Sequence, residues 1–158
     1  MAADIDADRA EVIANAERVY QFFGELAARP ALFVAAPMGS LDDALLPLAS
    51  TPVEAIGLDL VRGAVPTGVS LRGKTVVAGV IDGHNIWRTD LDVALDKLAT
   101  LQDSGATVAV GTSTSLFHVP HTLQGEEHLG EELLSWLAFA DEKVGEVVTL
   151  ASALNQGT

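Results

Sequence analysis

Asp59, Asp82 and His118 lie at or just beyond the C-terminal ends of three successive apolar runs that read as strands. Two carboxylates and an imidazole on one face could perform acid–base chemistry or hold a divalent metal through oxygen and nitrogen. Their spacing matches no metal-binding pattern, so either role requires the fold to bring them together. The competing reading is architectural: Asp82 accepts backbone N–H bonds in its own turn, Asp59 pairs with Arg62 or Arg88, and the Ser/Thr loop satisfies His118. Asn85, Trp87 and Arg88 crowd behind Asp82 and, with Ser115, make up the candidate ligand-binding set. Ser113 and Ser115 near His118 invite a hydrolase reading. The GxSxG nucleophile elbow is absent, however, and nothing marks the third member of a triad. Trp87 and Trp136 could stack on a ligand, but single tryptophans in such settings serve packing. His121 and His128 lie in an acidic loop and read as solvated.

The element that must position most of these residues is Thr75–Arg88, TVVAGVIDGHNIWR. Val76–Ile81 has the composition of a strand covered on both faces, and Asp82-Gly83 ends it as a turn. Ahead of it, Asp8–Ala28 reads as an amphipathic helix with Val12, Ala16, Val19, Phe23 and Leu26 on one face, capped by Asp6 or Asp8. Tyr20, Phe22 and Phe23 read as packing onto a sheet. Ala31–Ala36 is a short strand. Ser40-Leu41-Asp42-Asp43 resembles a capping box that opens a helix through Leu48. Val53–Val61 is the second strand, and residues 62–74 form a loop with at most one helical turn. After the third strand, Thr89 and Asp92 form another capping box before a helix through Leu101. Ala106–Val110 is the fourth strand. The last helix runs from Glu131 to Leu154, with Leu134, Leu137, Ala140, Val144, Val147 and Leu150 on its apolar face. Strands alternating with helices mean parallel strands joined by right-handed crossovers. The fold class is therefore α/β: four parallel strands with flanking helices, half of a (β/α)8 (TIM-type) barrel. A small open doubly wound sheet is the rival, weakened because no glycine-rich phosphate loop follows any strand. The expected organisation is one domain over 1–158, with 1–7 and 155–158 frayed.

The 158 residues carry 9 Lys+Arg against 22 Asp+Glu, a formal charge of -13, with 49% hydrophobic residues. Such a field repels nucleic acid and anionic membrane, so neither is an expected partner. No apolar run approaches the ~20 residues needed to span a bilayer. The acidic N-terminus does not read as a signal peptide, and the absence of cysteine removes disulfides, thiolate nucleophiles and cysteine-containing zinc sites. The expected compartment is the cytoplasm.

Four stretches taken together carry a resemblance: GLDLVRG (57–63), VVAGVIDGHNIWRTDL (76–91), TSLFHVP (114–120) and LLSWLAFADEKVGEV (133–147). In sequence, order and spacing they resemble the N-terminal half of cobalamin-independent methionine synthase, over about residues 10 to 155. The resemblance implies the second half of an N-terminal (β/α)8 barrel in an enzyme of two facing barrels. That family moves a methyl group from 5-methyltetrahydrofolate polyglutamate to homocysteine held as a thiolate on zinc. The zinc and its Cys and His ligands belong to the C-terminal barrel, and the basic folate-contacting residues lie upstream of the part this chain resembles. His84 stands where the family has arginine, and Thr114 where it has cysteine. No catalytic residue of the family carries over to a position here.

These readings predict a fragment or truncated paralogue of the methionine-biosynthetic methyltransferase, non-catalytic by itself and with no cofactor of its own. Unpaired sheet edges predict a partner: a homo-oligomer, in the first instance a dimer, or a complementary barrel half. The alternatives are an interaction subunit completing a partner's barrel in trans, and a small ligand-binding or acid–base enzyme using Asp59, Asp82 and His118.

Overall fold

The computed structural model describes residues 8–156. Four strands, β1 (Phe33–Ala36), β2 (Ala55–Asp59), β3 (Thr75–Ile81) and β4 (Thr107–Thr112), form one sheet whose spatial order equals their order in the chain. Every pairing is parallel. Helices α1 (Arg9–Glu25), α2 (Leu45–Ser50), α3 (Leu91–Gln102) and α5 (Ala140–Gln156) flank it, with a short α4 (Glu131–Trp136) before the last. This is the architecture of half a (β/α)8 barrel. No described helix is long and apolar enough to cross a membrane.

Alternation along the strands assigns the core. Ile56, Leu58, Val76 and Ala78 turn to the helical side and meet Leu45, Leu48, Ala94, Leu98, Leu101 and Leu150. Strand β3 lies between β2 and β4, which explains its unbroken apolar run. A register shift between Gly79 and Ile81 bends its end and aims the following loop. Gly79 is obligatory there: an added Cβ would lie 2.7 Å from both the Leu58 carbonyl oxygen and the Ser113 Cα.

Local chemistry departs from expectation at two helix starts. At Ser40 the hydroxyl accepts from the N–H of Asp42, two residues on instead of three. Asp42 then turns the chain at φ 48, so a 3-10 turn, not a capping box, leads into α2. Helix α3 is capped by Asp90, which accepts from the Val93 N–H at 3.1 Å, and not by Thr89. Thr89 is drawn away because its own N–H donates to Glu146 at 3.1 Å. At α1, Asp8 caps as expected, accepting from Ala10; Asp6, like the whole span 1–7, lies outside the described residues.

Two helical faces also differ. Residues 131–154 are not one helix: Leu137, Ala138 and Phe139 are extended and buried, and Leu137 makes an antiparallel bridge with Trp87. Hydrogen bonds from Arg88 N–H to Trp136 and from Ala138 N–H to Ile86, both 2.8 Å, hold that break. Past it, the buried face of α5 is Lys143, Glu146 and Leu150, while Val144 is exposed. Asn155 and Gln156, expected to fray, continue this helix, and 157–158 lie outside the described residues. Helix α1 buries none of its residues completely. Tyr20 packs against the core, but Val12, Val19, Phe22, Phe23 and Leu26 are exposed. The cause is position: β1 is the edge strand, so no further strand lies beneath this helix. A hollow of about 260 Å³ lined by Ile13, Ala16, Val34 and Leu48 remains there.

Candidate functional site

Each candidate carboxylate holds the loop that carries it. Asp59 is 2% exposed. Its Oδ1 accepts from the N–H groups of Val61 and Arg62 and its Oδ2 from that of Gly39, all at 3.0 Å. Among the described residues no cation pairs with it: the expected pairing with Arg62 or Arg88 is replaced by three backbone donors, two from the tight turn after β2 and one, Gly39, from the loop after β1. Asp82 accepts from the His84 N–H at 2.8 Å and from the Asn85 side-chain amide at 2.7 Å. The His84 ring nitrogen lies 3.6 Å from the same carboxylate. His118 ends a 3-10 turn, exposed, its ring edge-on to Phe117 at 5.1 Å, with no bond to the Ser/Thr loop.

These three residues line no common cleft. Asp59 borders a hollow of about 240 Å³ with Ser40 and Pro66. Asp82, Asn85, Trp87 and Arg88 converge on a different one, about 230 Å³, beside Lys97 of α3. Ser113 and Ser115 edge a third. The serines have structural partners: Ser113 accepts from the Gly83 N–H at 3.2 Å, tying the β3 loop to β4, and Ser115 caps the next turn through Phe117. Among the described residues, no group of three or more His, Cys, Asp or Glu is placed to hold a metal ion.

The group that sequence reasoning missed is Lys143. It is 0% exposed, yet its ammonium donates to the Trp87 carbonyl at 2.9 Å and to Asn85 Oδ1 at 3.3 Å. Asn85 Oδ1 also accepts from the Trp87 N–H at 3.0 Å, so one amide joins Asp82, Trp87 and Lys143. Burial pushes the Lys143 pKa below the ordinary lysine value, with the charges of Glu146 and Asp82 pulling it back up. Glu146 is buried as well; one oxygen serves Thr89 and the other has no protein partner. Glu142 acts similarly one turn earlier, accepting from Leu123 and Phe139 N–H groups and the Thr122 hydroxyl. Burial raises its pKa, but those bonds outweigh it and the net shift is down. The sequence signal available was a Lys–Glu pair three residues apart, continuing at helical spacing to Leu150. The result is a loop after β3 clamped from behind by α5, with Trp87 and Arg88 facing outward.

Comparison with known proteins gives this geometry a context. A family model described as "Cobalamin-independent synthase, N-terminal domain" matches residues 3–106. The 5-methyltetrahydropteroyltriglutamate–homocysteine methyltransferase of Mycolicibacterium paratuberculosis is 56% identical over 151 residues, covering 94% of this chain and 20% of that protein. The Mycobacterium leprae protein of the same name is 55% identical over 147 residues, 91% of this chain and 19% of its own. That of Rhodococcus jostii is 54% identical over 147 residues, 92% and 20% respectively. The chain thus spans about one fifth of the length of the curated relatives it matches.

Proposed function

The chain belongs to the cobalamin-independent synthase family, matching its N-terminal domain, and on that premise we propose that it is barrel wall: four βα units that carry out no methyl transfer by themselves. The observation that carries this reading is the state of the carboxylates. Asp59, at the end of β2, accepts two backbone N–H groups of its own loop and that of Gly39 after β1, and Asp82, just past β3, accepts an N–H and a side-chain amide of its own loop. A general acid–base pair must meet one substrate, whereas Asp59 and Asp82 border separate hollows. The relatives are named for transfer between 5-methyltetrahydropteroyltriglutamate and homocysteine. In this reading the present chain contributes scaffold to that chemistry and not reacting groups.

The open sheet is completed by association, with a second copy or a complementary barrel half, and the compartment is the cytoplasm, in keeping with a sequence free of cysteine. The test is direct. Purified chain incubated with the triglutamyl methyl donor, homocysteine and zinc should yield no methionine above a protein-free blank. Turnover dependent on the chain would refute the proposal.

A second reading keeps a ligand role for the cleft of Asp82, Asn85, Trp87 and Arg88, because those four converge there. Under it, Asp82→Asn abolishes a measurable ligand affinity and leaves the melting temperature nearly unchanged. A large stability loss marks Asp82 as architectural.

A further inference from the structure

The cleft of about 230 Å³ between the loops after β2 and β3 and helix α3 brings charges of both signs together. Arg88 and Lys97 line it, and so do Asp82 and Asp90, yet among the described residues no ion pair joins either cation to either acid. Asp82 is spent on its own loop, but the other three keep bonding capacity. The Arg88 guanidinium makes one hydrogen bond among the described residues, a long one of 3.4 Å to the Leu137 carbonyl. The Lys97 ammonium donates to the Leu60 carbonyl at 2.7 Å, which steadies it and leaves two of its three N–H groups. Asp90 accepts the Val93 N–H through Oδ1, and among the described residues no donor meets its Oδ2. Buried Val80 and Ala94, with Val61 and Val93, supply the cleft's apolar surface.

We propose that this cleft binds a small zwitterion, an amino acid with an aliphatic side chain, its carboxylate on Arg88 and Lys97 and its ammonium on Asp90. The proposal rests on the reading that the cleft takes a ligand, and names the chemistry of that ligand. A purely anionic molecule would meet the field of a chain carrying -13, with Asp82 and Asp90 in the cleft itself. A purely cationic one would meet two cations already in place. A molecule bearing both charges answers each unspent group, and a carboxylate accepts the paired N–H groups of a guanidinium. The space lies below the roughly 300–1,000 Å³ of sites for drug-sized ligands, so its occupant is small. The loop that presents Arg88 is already fixed: the Arg88 N–H donates to Trp136 at 2.8 Å, and Lys143 holds the Trp87 carbonyl at 2.9 Å. Little ordering therefore remains to oppose binding.

The test is a chemical-shift titration of the isotope-labelled chain with norvaline and its two single-charge analogues, pentanoate and butylamine. Norvaline should move the Trp87 indole and Val93 amide resonances, and each analogue should bind about tenfold more weakly or worse. Arg88→Gln should weaken norvaline by about tenfold or more without weakening butylamine. Asp90→Asn should weaken norvaline similarly without weakening pentanoate, and it keeps α3 capped because asparagine caps as well as aspartate. If a variant fails to fold by circular dichroism, the ranking of the three probes on the wild-type chain decides. A single-charge analogue that binds as tightly as norvaline would overturn the zwitterion and leave the cleft a ligand site. Three probes that move no resonance of the cleft would overturn both. Norvaline binding that survives both substitutions would overturn the placement of its charges, and survival of one alone would overturn the role given to that residue.

Discussion

Replacing Lys143 by methionine tests the clamp behind the β3 loop. Methionine keeps most of the stem and removes the ammonium. The Trp87 carbonyl then loses a 2.9 Å bond from a charged donor, worth about 1.5–3 kcal/mol. Glu146, 9% exposed with one oxygen already unpartnered, loses the positive charge that offsets it. Removing one member of a buried charge pair costs about 3–5 kcal/mol in general. Because the two side chains are not in direct contact, the lower end applies, about 3 kcal/mol. For a chain of this size that lowers the melting temperature by about 6–12 °C. Urea denaturation followed by circular dichroism supplies the free energy. The companion variant, Lys143→Met with Glu146→Gln, removes both charges but keeps an acceptor for the Thr89 N–H, and should recover about 1 kcal/mol or more. The pH dependence has a definite sign. The native state sheds the Lys143 proton at lower pH than the unfolded chain does. Between the folded value and the ordinary 10.5, this group therefore makes stability rise with pH, and Lys143→Met should erase that slope. A single-variant loss below about 1 kcal/mol, or a double variant no better than the single, would refute the clamp.

Asp59→Asn offers one acceptor oxygen where a carboxylate serves three N–H groups and turns an amide NH₂ toward a donor; a loss of about 2–4 kcal/mol by urea denaturation is expected. Gly79→Ala drives a methyl group into backbone atoms on both neighbouring strands, and should cost about 1–3 kcal/mol or abolish soluble expression, whereas wild-type-like stability would show that the strands can separate there. The paired Arg29 guanidinium, and then the Leu32 N–H, hold the Glu54 carboxyl at about 2 against an ordinary 4.5. Its contribution is thus present above 4.5 and fades as pH falls toward 2, so the gap in melting temperature between wild type and Glu54→Gln should close across that window and shrink with added salt. A gap that widens on acidification would contradict that assignment.

Strand β3 and the architecture were legible because Val76–Ile81 is an unbroken apolar run, but the expected cover on both faces holds for one: Val76, Ala78 and Val80 are buried, whereas Val77 on the other face is half-buried beside a hollow of about 460 Å³. The break at Leu137–Phe139 was not legible, since Leu134, Leu137 and Ala140 continue a helical spacing straight through it. Only the pairing with Ile86–Arg88, fifty residues away, pulls those residues into an extended path. Lys143 was missed for a related reason. A lysine on an amphipathic helix is ordinarily solvent-facing, and nothing local says that a loop carbonyl will arrive at its tip. The apolar face read for α1 is exposed at Val12, Val19, Phe23 and Leu26, with Tyr20 packing on the core instead, because the sequence does not say whether a strand lies beneath those residues. Of the candidate site, Asp82's turn was visible in the Asp-Gly signal. The separation of Asp59, Asp82 and His118 into different surroundings depends on loop paths, which composition does not encode.

The identity between sheet order and chain order has a consequence for how the molecule is made. Each of β2, β3 and β4, once emerged from the ribosome, has a partner already waiting in the nascent polypeptide, and none of the four must thread between two earlier ones. Loop closures stay short and successive, which keeps the entropic barrier to each addition low. Synthesis can therefore lay the layers down one βα unit at a time. Within this sheet only β1 and β4 have a neighbour on one side alone.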